Sequence, residues 1–291
     1  MDATDRTTEV IARVLSWYAS DARDLPWRRP DATPWGVMVS EFMLQQTPVA
    51  RVLGPWREWI ERWPTPDDLA SEPASAAVAA WGRLGYPRRA QRLHAAAVAI
   101  CEQHAGHVPT DHADLLALPG VGEYTASAIA SFAHRQRHVV LDTNVRRVLA
   151  RVASGVERPA DHLTRAEREL ARAWLPNDPG VAATWAAASM ELGARICTAR
   201  SPDCDACPIA DRCAWLAAGR PPFDGPPRRR QAWDGTDRQC RGRLLGLVRD
   251  AEVLDVESAL RQWPDREQAE RCLASLLDDR LLTRTDDNLT L

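Results

Sequence analysis

The sequence predicts a mostly α-helical protein, and three observations predict it. Apolar residues recur at three- and four-residue spacing in run after run, and alternating apolar and polar stretches are nearly absent. Prolines at 26, 30, 34, 48, 55, 64, 66, 73, 87, 109 and 119 punctuate the first half, leaving room for short helices of about three turns.

Taken in order, "VIARVLSWY" (10–18) reads as the first helix. The stretch "VSEFMLQQT" (39–47) sets Glu41 among Val39, Phe42, Met43 and Leu44, and two readings stand open. Ser40 caps a helix whose first turn carries an acid favourable to the macrodipole, or an acid held against apolar neighbours keeps its proton and serves as a general acid. "PASAAVAAWGRL" (73–84) and "RLHAAAVAICEQH" (92–104) continue the helical pattern. In "LPGVGEYTASAI" (118–129) a Pro-Gly-x-Gly group forms a tight helix-to-helix turn. Gly120 and Gly122 permit positive φ and close backbone approach, and the amides opening the second helix are free to hold a phosphate; a purely structural turn reads the same way. "VVLDTNVRRVLAR" (139–151) places Asp142 immediately before a helix, where it caps the amide of residue 144 or 145.

The Pro- and Gly-rich "GRPPFDGPPRRR" (219–230) reads as a linker, dividing a core of residues 1–218 from a unit of 231–291. Beyond it, "RQCRGRLLGLVRD", "VESALRQW" and "EQAERCLASLLDDRLL" read as three helices, and "TRTDDNLTL" as a hairpin with Asp-Asp-Asn at its turn. Three helices and a wing suggest a small winged-helix-like unit.

At 291 residues and 45% hydrophobic composition the chain is long enough to bury a sizeable core. No run approaches a membrane span, and residues 1–30 hold five acids and five arginines where a secretory signal needs an apolar core, so an intracellular, cytoplasmic protein is expected. A net charge of −3 argues against coating nucleic acid by bulk charge, although Arg228–Arg249 carries seven arginines against two acids. A solvated linker and helix face explains that segment as well as phosphate contact does. The last 42 residues hold eleven acids against five arginines, which favours a packing or partner role for the tail at least as much as nucleic-acid binding. All 37 basic residues are arginine, so any mechanism through a lysine Schiff base is closed.

Of seven cysteines, Cys101, Cys240 and Cys272 read as small buried apolar residues. Cys197, Cys204, Cys207 and Cys213 form C-x6-C-x2-C-x5-C within seventeen residues, a metal-ligand pattern rather than a disulfide framework in this compartment. Zinc and a four-iron cluster both suit four thiolates.

As an ordered set, the acid in an apolar helix, "LPGVG", "LDTNV" some twenty residues later and the four cysteines resemble the endonuclease III superfamily of DNA glycosylases over about residues 10–220. "SEFMLQQT" and "LGYPRRAQRLH" resemble its adenine DNA glycosylases of MutY type. The resemblance implies a two-lobed helical core with a helix-hairpin-helix near 113–132, one [4Fe-4S] cluster in the loop 197–213 on Cys197, Cys204, Cys207 and Cys213, and action as a monomer on double-stranded DNA. The substrate it implies is adenine mispaired with 8-oxoguanine or guanine, flipped out of the duplex and released by N-glycosidic hydrolysis.

By the same resemblance Glu41 protonates adenine at N7, while Asp142 stays ionised and shelters the oxocarbenium-like sugar with Tyr124 beside it. Arg28 and Glu191 match adenine-contacting positions, although each also reads as a surface or capping residue. Gln45 and Tyr86 wedge the base stack; Gln46, Thr47 and Leu84 lie near the opposite base; Leu44 and Asn144 fall among the DNA contacts, and Gly120 and Gly122 hold backbone phosphate. Where relatives carry a second tyrosine after Tyr86, this chain has Pro87. Lyase members place a lysine where Tyr124 stands here, so the chain is expected to be monofunctional. Only about 66 residues follow residue 225, too few for the nucleotide-hydrolase-like domain usual in the family. Two other readings remain: a thymine:guanine mismatch glycosylase of the same superfamily, and an iron-sulfur DNA-binding protein without chemistry.

Overall fold

A computed structural model describes residues 3–225 and 232–291. Arg228, Arg229 and Arg230, part of the basic segment, lie outside the described residues, as does the second half of the linker. In chain order the helices are α1 (Ala3–Asp21), α2 (Pro34–Leu44), α3 (Val49–Arg62), α4 (Pro66–Ala70), α5 (Ala74–Ala80), α6 (Arg88–His104), α7 (His112–Ala117) and α8 (Glu123–Phe132). They continue as α9 (Thr143–Val152), α10 (Arg165–Ala173), α11 (Pro179–Arg195), α12 (Ala214–Ala217), α13 (Asp237–Ala251), α14 (Val256–Leu260) and α15 (Arg266–Asp278). The strands are β1 (Leu254–Asp255), β2 (Thr283–Thr285) and β3 (Asn288–Thr290). The mostly helical class expected from the sequence holds.

The chain divides into two compact units. The first comprises Met1–Met38, Thr110–Ala117 and Val121–Pro226; the second comprises Val39–Pro109, Leu118–Gly120 and Pro227–Leu291.

In the first unit the apolar faces of α1, α9 and α11 close one core, in which Val10 and Val14 meet Val145, Val148, Leu149, Trp185, Ala188 and Leu192. The helical periodicity of "VIARVLSWY" and "TNVRRVLARV" serves this contact. Gly193 lets α11 and α9 approach closely, because a Cβ there would stand 2.8 Å from the Asn144 backbone oxygen. The start of the linker is bound rather than loose: the Phe223 amide donates to Glu157 Oε2 at 2.8 Å, and the Arg158 guanidinium lies 3.7 Å from the Phe223 ring centroid.

In the second unit the indoles of Trp59, Trp63 and Trp81 pack edge to face, with centroids 4.7 Å and 5.6 Å from Trp59. Pro55 lies inside α3 instead of ending it. Its ring removes one backbone donor, and burial of Val52, Trp56 and Trp59 along one face offsets that loss. The tail forms the three helices and wing expected. Strand β3 pairs antiparallel with both β1 and β2, Leu254 facing Leu289 and Thr285 facing Asn288, with Asp286 and Asp287 at the turn. The sheet is small, and α13 and α15 supply the core beneath it through Cys240, Leu244, Leu245, Val248, Cys272, Leu273 and Leu276, all buried.

Candidate active site

Asp142 sits at the head of α9 with extended backbone, where its Oδ1 accepts from the amides of Asn144 at 2.9 Å and Val145 at 2.7 Å. Its Oδ2 accepts from Asn144 Nδ2 at 2.6 Å. The capping expected from the sequence is therefore present, and it aims a carboxylate at the positive end of a helix. Burial pushes the Asp142 carboxyl above the ordinary carboxylate range, and these donors and the Arg147 guanidinium pull the other way. Tyr124, on α8, packs against the buried Ala128, Val140 and Ala186.

Glu191, on α11, is fully buried and not a surface cap. Arg23 Nε and Nη2 donate to its two oxygens at 2.6 Å and 2.7 Å, and Arg28 Nη1 donates at 2.7 Å. Burial would raise this carboxyl; the hydrogen bonds from Arg23 and the charge of Arg28 overcome that and hold it down to about 2. Arg28 and Glu191 thus belong to one charged triad with Arg23, which sequence reasoning did not single out. A carboxyl depressed from 4.5 to about 2 adds stability that is complete above pH 4.5 and is lost as pH falls towards 2. Urea unfolding across that window should lose about 3 kcal/mol, and Glu191→Gln should flatten the loss. An unchanged slope in the variant would show that other carboxylates carry the acid sensitivity.

The second unit holds Glu41, 5% exposed in α2 with buried Met38, Val39, Phe42 and Met43 around it in sequence. Ser40 does not cap this helix. Residue Pro34 opens it, and Thr33 Oγ1 accepts from the Gly36 amide at 3.1 Å, so Glu41 lies two turns in, beyond reach of a first-turn dipole effect.

Immediately beyond α2, Gln46 adopts φ 56°, and in the loop before α6 Tyr86 adopts φ 51°. Left-handed backbone costs a non-glycine residue of order 1 kcal/mol, so something must hold both loops. Arg89 does. Its Nη1 donates to the carbonyls of Phe42 at 2.8 Å, Met43 at 3.0 Å and Gln45 at 2.6 Å; its Nη2 donates to Gly85 O at 2.9 Å and Thr47 Oγ1 at 3.1 Å. Thr47 Oγ1 in turn donates to Leu84 O at 3.3 Å, and the Trp81 indole donates to Gly85 O at 2.9 Å. Burial lowers the Arg89 guanidinium to about 10, still charged near neutrality. Gln45, Gln46, Thr47, Leu84 and Tyr86 are thereby brought together around one buried cation, while Leu44 lies at the end of α2 leading into them. Nothing in "LGYPRRAQRLH" by itself marks Arg89 for this role.

In the hairpin, Gly120 has φ 78° and a Cβ there would meet Arg92 Cβ at 2.6 Å, so the position requires glycine. Gly122 does not use positive φ. It is the extended N-cap of α8 at φ −101°, with no atom within 4 Å of where a Cβ would stand, leaving open space before the helix amides.

Cys197, Cys204, Cys207 and Cys213 line a common cavity with Val148, Arg151, Ile209 and Leu216. Among the described residues no three His, Cys, Asp or Glu side chains are grouped as ligands of a single ion. Burial and the nearby charges of the other three cysteines push the Cys207 thiol up to about 12. Four cysteine sulfurs lining one cavity supply, once deprotonated, the donor chemistry of a metal cluster. Two arginines on α9, also missed in the sequence, tie the loop down. Arg147 donates to Cys197 O at 2.7 Å, Gly193 O at 2.6 Å and Asn144 Oδ1 at 2.8 Å. Arg151 donates to Thr198 O at 2.8 Å and to the Cys197 sulfur at 3.3 Å. The helix headed by Asp142 therefore anchors the cysteine loop.

Residues 39–174 match the HhH-GPD superfamily of base excision DNA repair proteins, and residues 197–213 match the iron-sulfur binding domain of endonuclease III. A thermostable thymine-DNA glycosylase of known structure superposes with a TM-score of 0.67 at 26% identity, covering 75% of this chain and all of its own. Helix-hairpin-helix, capped aspartate and four-cysteine loop thus define a DNA glycosylase of the base-excision class. The adenine DNA glycosylase of Mycobacterium tuberculosis is 52% identical over 277 residues, 94% of this chain and 90% of that protein. Identity drops to 34% over 203 residues with the thymine/uracil-DNA glycosylase of Pyrobaculum aerophilum, 68% of this chain and 87% of that protein. The chain belongs to the adenine DNA glycosylases of MutY type, with a four-iron cluster as cofactor.

Proposed function

We propose that this enzyme removes adenine standing opposite 8-oxoguanine or guanine, acting as a monomer on cytoplasmic DNA. The observation that carries the reading is the pair of left-handed residues, Gln46 and Tyr86, pinned by Arg89, a rigid place from which side chains can enter a base stack. The chemistry follows from two differently housed acids. Glu41 gives its proton to adenine N7, so the electron pair of the breaking bond from C1′ to N9 is received by a neutral leaving base. Asp142, whose anionic form three N–H donors stabilise against the cost of its burial, faces the positive charge left on the sugar, with Tyr124 beside it. Water then adds to C1′, and its proton restores Glu41. Arg28 and Glu191 orient the extruded adenine, Gly120 and Gly122 seat a backbone phosphate, and Leu44 and Asn144 complete the DNA contacts. Cys197, Cys204, Cys207 and Cys213 would hold the cluster, crosslinking the loop that Arg147 and Arg151 fasten to α9.

The test is single-turnover release of adenine from duplexes with each normal base and 8-oxoguanine opposite, using protein that carries about four irons per chain. Release opposite 8-oxoguanine and guanine, with little opposite thymine, is expected. Release of thymine from T:G duplexes instead would replace this reading by that of the mismatch glycosylases.

A further inference from the structure

The tail of this enzyme is fastened to the segment that carries Tyr86, and the fastening is specific. Asp279 follows α15 with its side chain 10% exposed. One of its oxygens accepts from Arg88 and the other from Arg241 Nη2 at 2.6 Å, while Arg241 also donates to Ser275 Oγ. Gln91 Nε2 donates to the carbonyls of Asp279 at 3.0 Å and Arg280 at 2.8 Å, groups that the end of a helix leaves unsatisfied. Arg241, in the segment read from sequence as a possible phosphate contact, is therefore committed within the protein.

Arg88 and Arg89 are consecutive residues in the first turn of α6, directly after Pro87 and the left-handed Tyr86. Arg89 turns inward to hold the loops of Gln45 to Thr47 and Leu84 to Tyr86; Arg88 turns outward to Asp279. One helical turn, its entry stiffened by proline, thus joins the tail to both loops. We propose that the winged-helix-like unit is a brace for the loops that meet the opposite base, and that Asp279 is its positioning residue. The brace sharpens discrimination of the opposite base without touching that base. This inference rests on the reading of those loops given above.

Two variants test it, Asp279→Asn and Arg88→Gln, the second altering only an exposed side chain of α6 should the first disturb the tail. Each should narrow the ratio of adenine release opposite 8-oxoguanine to that opposite guanine by about fivefold or more, the lower range of coupling between sites. Asp279→Glu, which keeps the charge, should recover most of the ratio. Hydrogen exchange of the amides from 82 to 92 should quicken in both neutral variants, and this readout stands whether or not adenine is the base released. Release that falls in parallel on every duplex, or unchanged exchange at residues 82 to 92, overturns the brace. Absence of adenine release from the unaltered enzyme would overturn the proposed function instead, and exchange would still decide the brace.

Discussion

Glu41→Gln should lower single-turnover adenine release by about 10²–10⁴-fold while leaving duplex binding intact, and Asp142→Asn should cost as much. Glutamine keeps the shape of Glu41 in its apolar helix but has no acidic proton, so adenine must leave as a poor, anionic group. Asparagine at 142 still accepts from one or both amides at the head of α9, which preserves the fold, but the charge opposite the sugar cation is gone. Because both acids act on one bond cleavage, the double variant should be little worse than the weaker single one. The measurement is the first-order rate of adenine release with enzyme in excess, alongside titration of binding to the same duplex. A variant that turns over near the unaltered rate would remove that residue from the chemistry, and strictly additive losses would assign the two acids to separate steps.

Arg89→Leu should cost the protein about 3 kcal/mol of stability, because a buried acceptor left without its donor costs about 1–3 kcal/mol and Arg89 serves several, all of them neutral. Leucine fills much of the volume, but the carbonyls of Phe42, Met43, Gln45 and Gly85 lose their shared donor where water has little access. With the clamp gone, Gln46 and Tyr86 relax from left-handed backbone, and discrimination of the opposite base should collapse with stability. Arg89→Lys, a single point of charge in place of a planar fork, should restore less than half of the loss. Urea unfolding of the purified variants measures the first effect and the opposite-base ratio the second. A leucine variant within about 1 kcal/mol of the parent, with its ratio intact, would mean that other contacts hold the loops.

What reading the chain alone could determine was local or strictly patterned. The cap of Asp142 spans four residues, the hairpin five and the cysteine set seventeen, so their geometry follows from near neighbours and survives in any compatible fold. Helical periodicity along α1 and α6 was equally plain, since each buries one face. Glu41 was harder: the same nine residues fit a cap or a buried acid, and only the start of α2 at Pro34 separates the two. The charged partners were out of reach. Arg89 joins carbonyls over forty residues upstream, Arg23 and Arg28 reach Glu191 more than 160 residues away, and Arg88 finds Asp279 at a separation of 191. In a chain whose 37 basic residues are all arginine, composition cannot say which guanidinium is buried against backbone, which pairs with an acid and which stays in solvent. Tertiary structure decides that, because a guanidinium carries five donors on a long flexible stem and satisfies them wherever folding happens to bring acceptors.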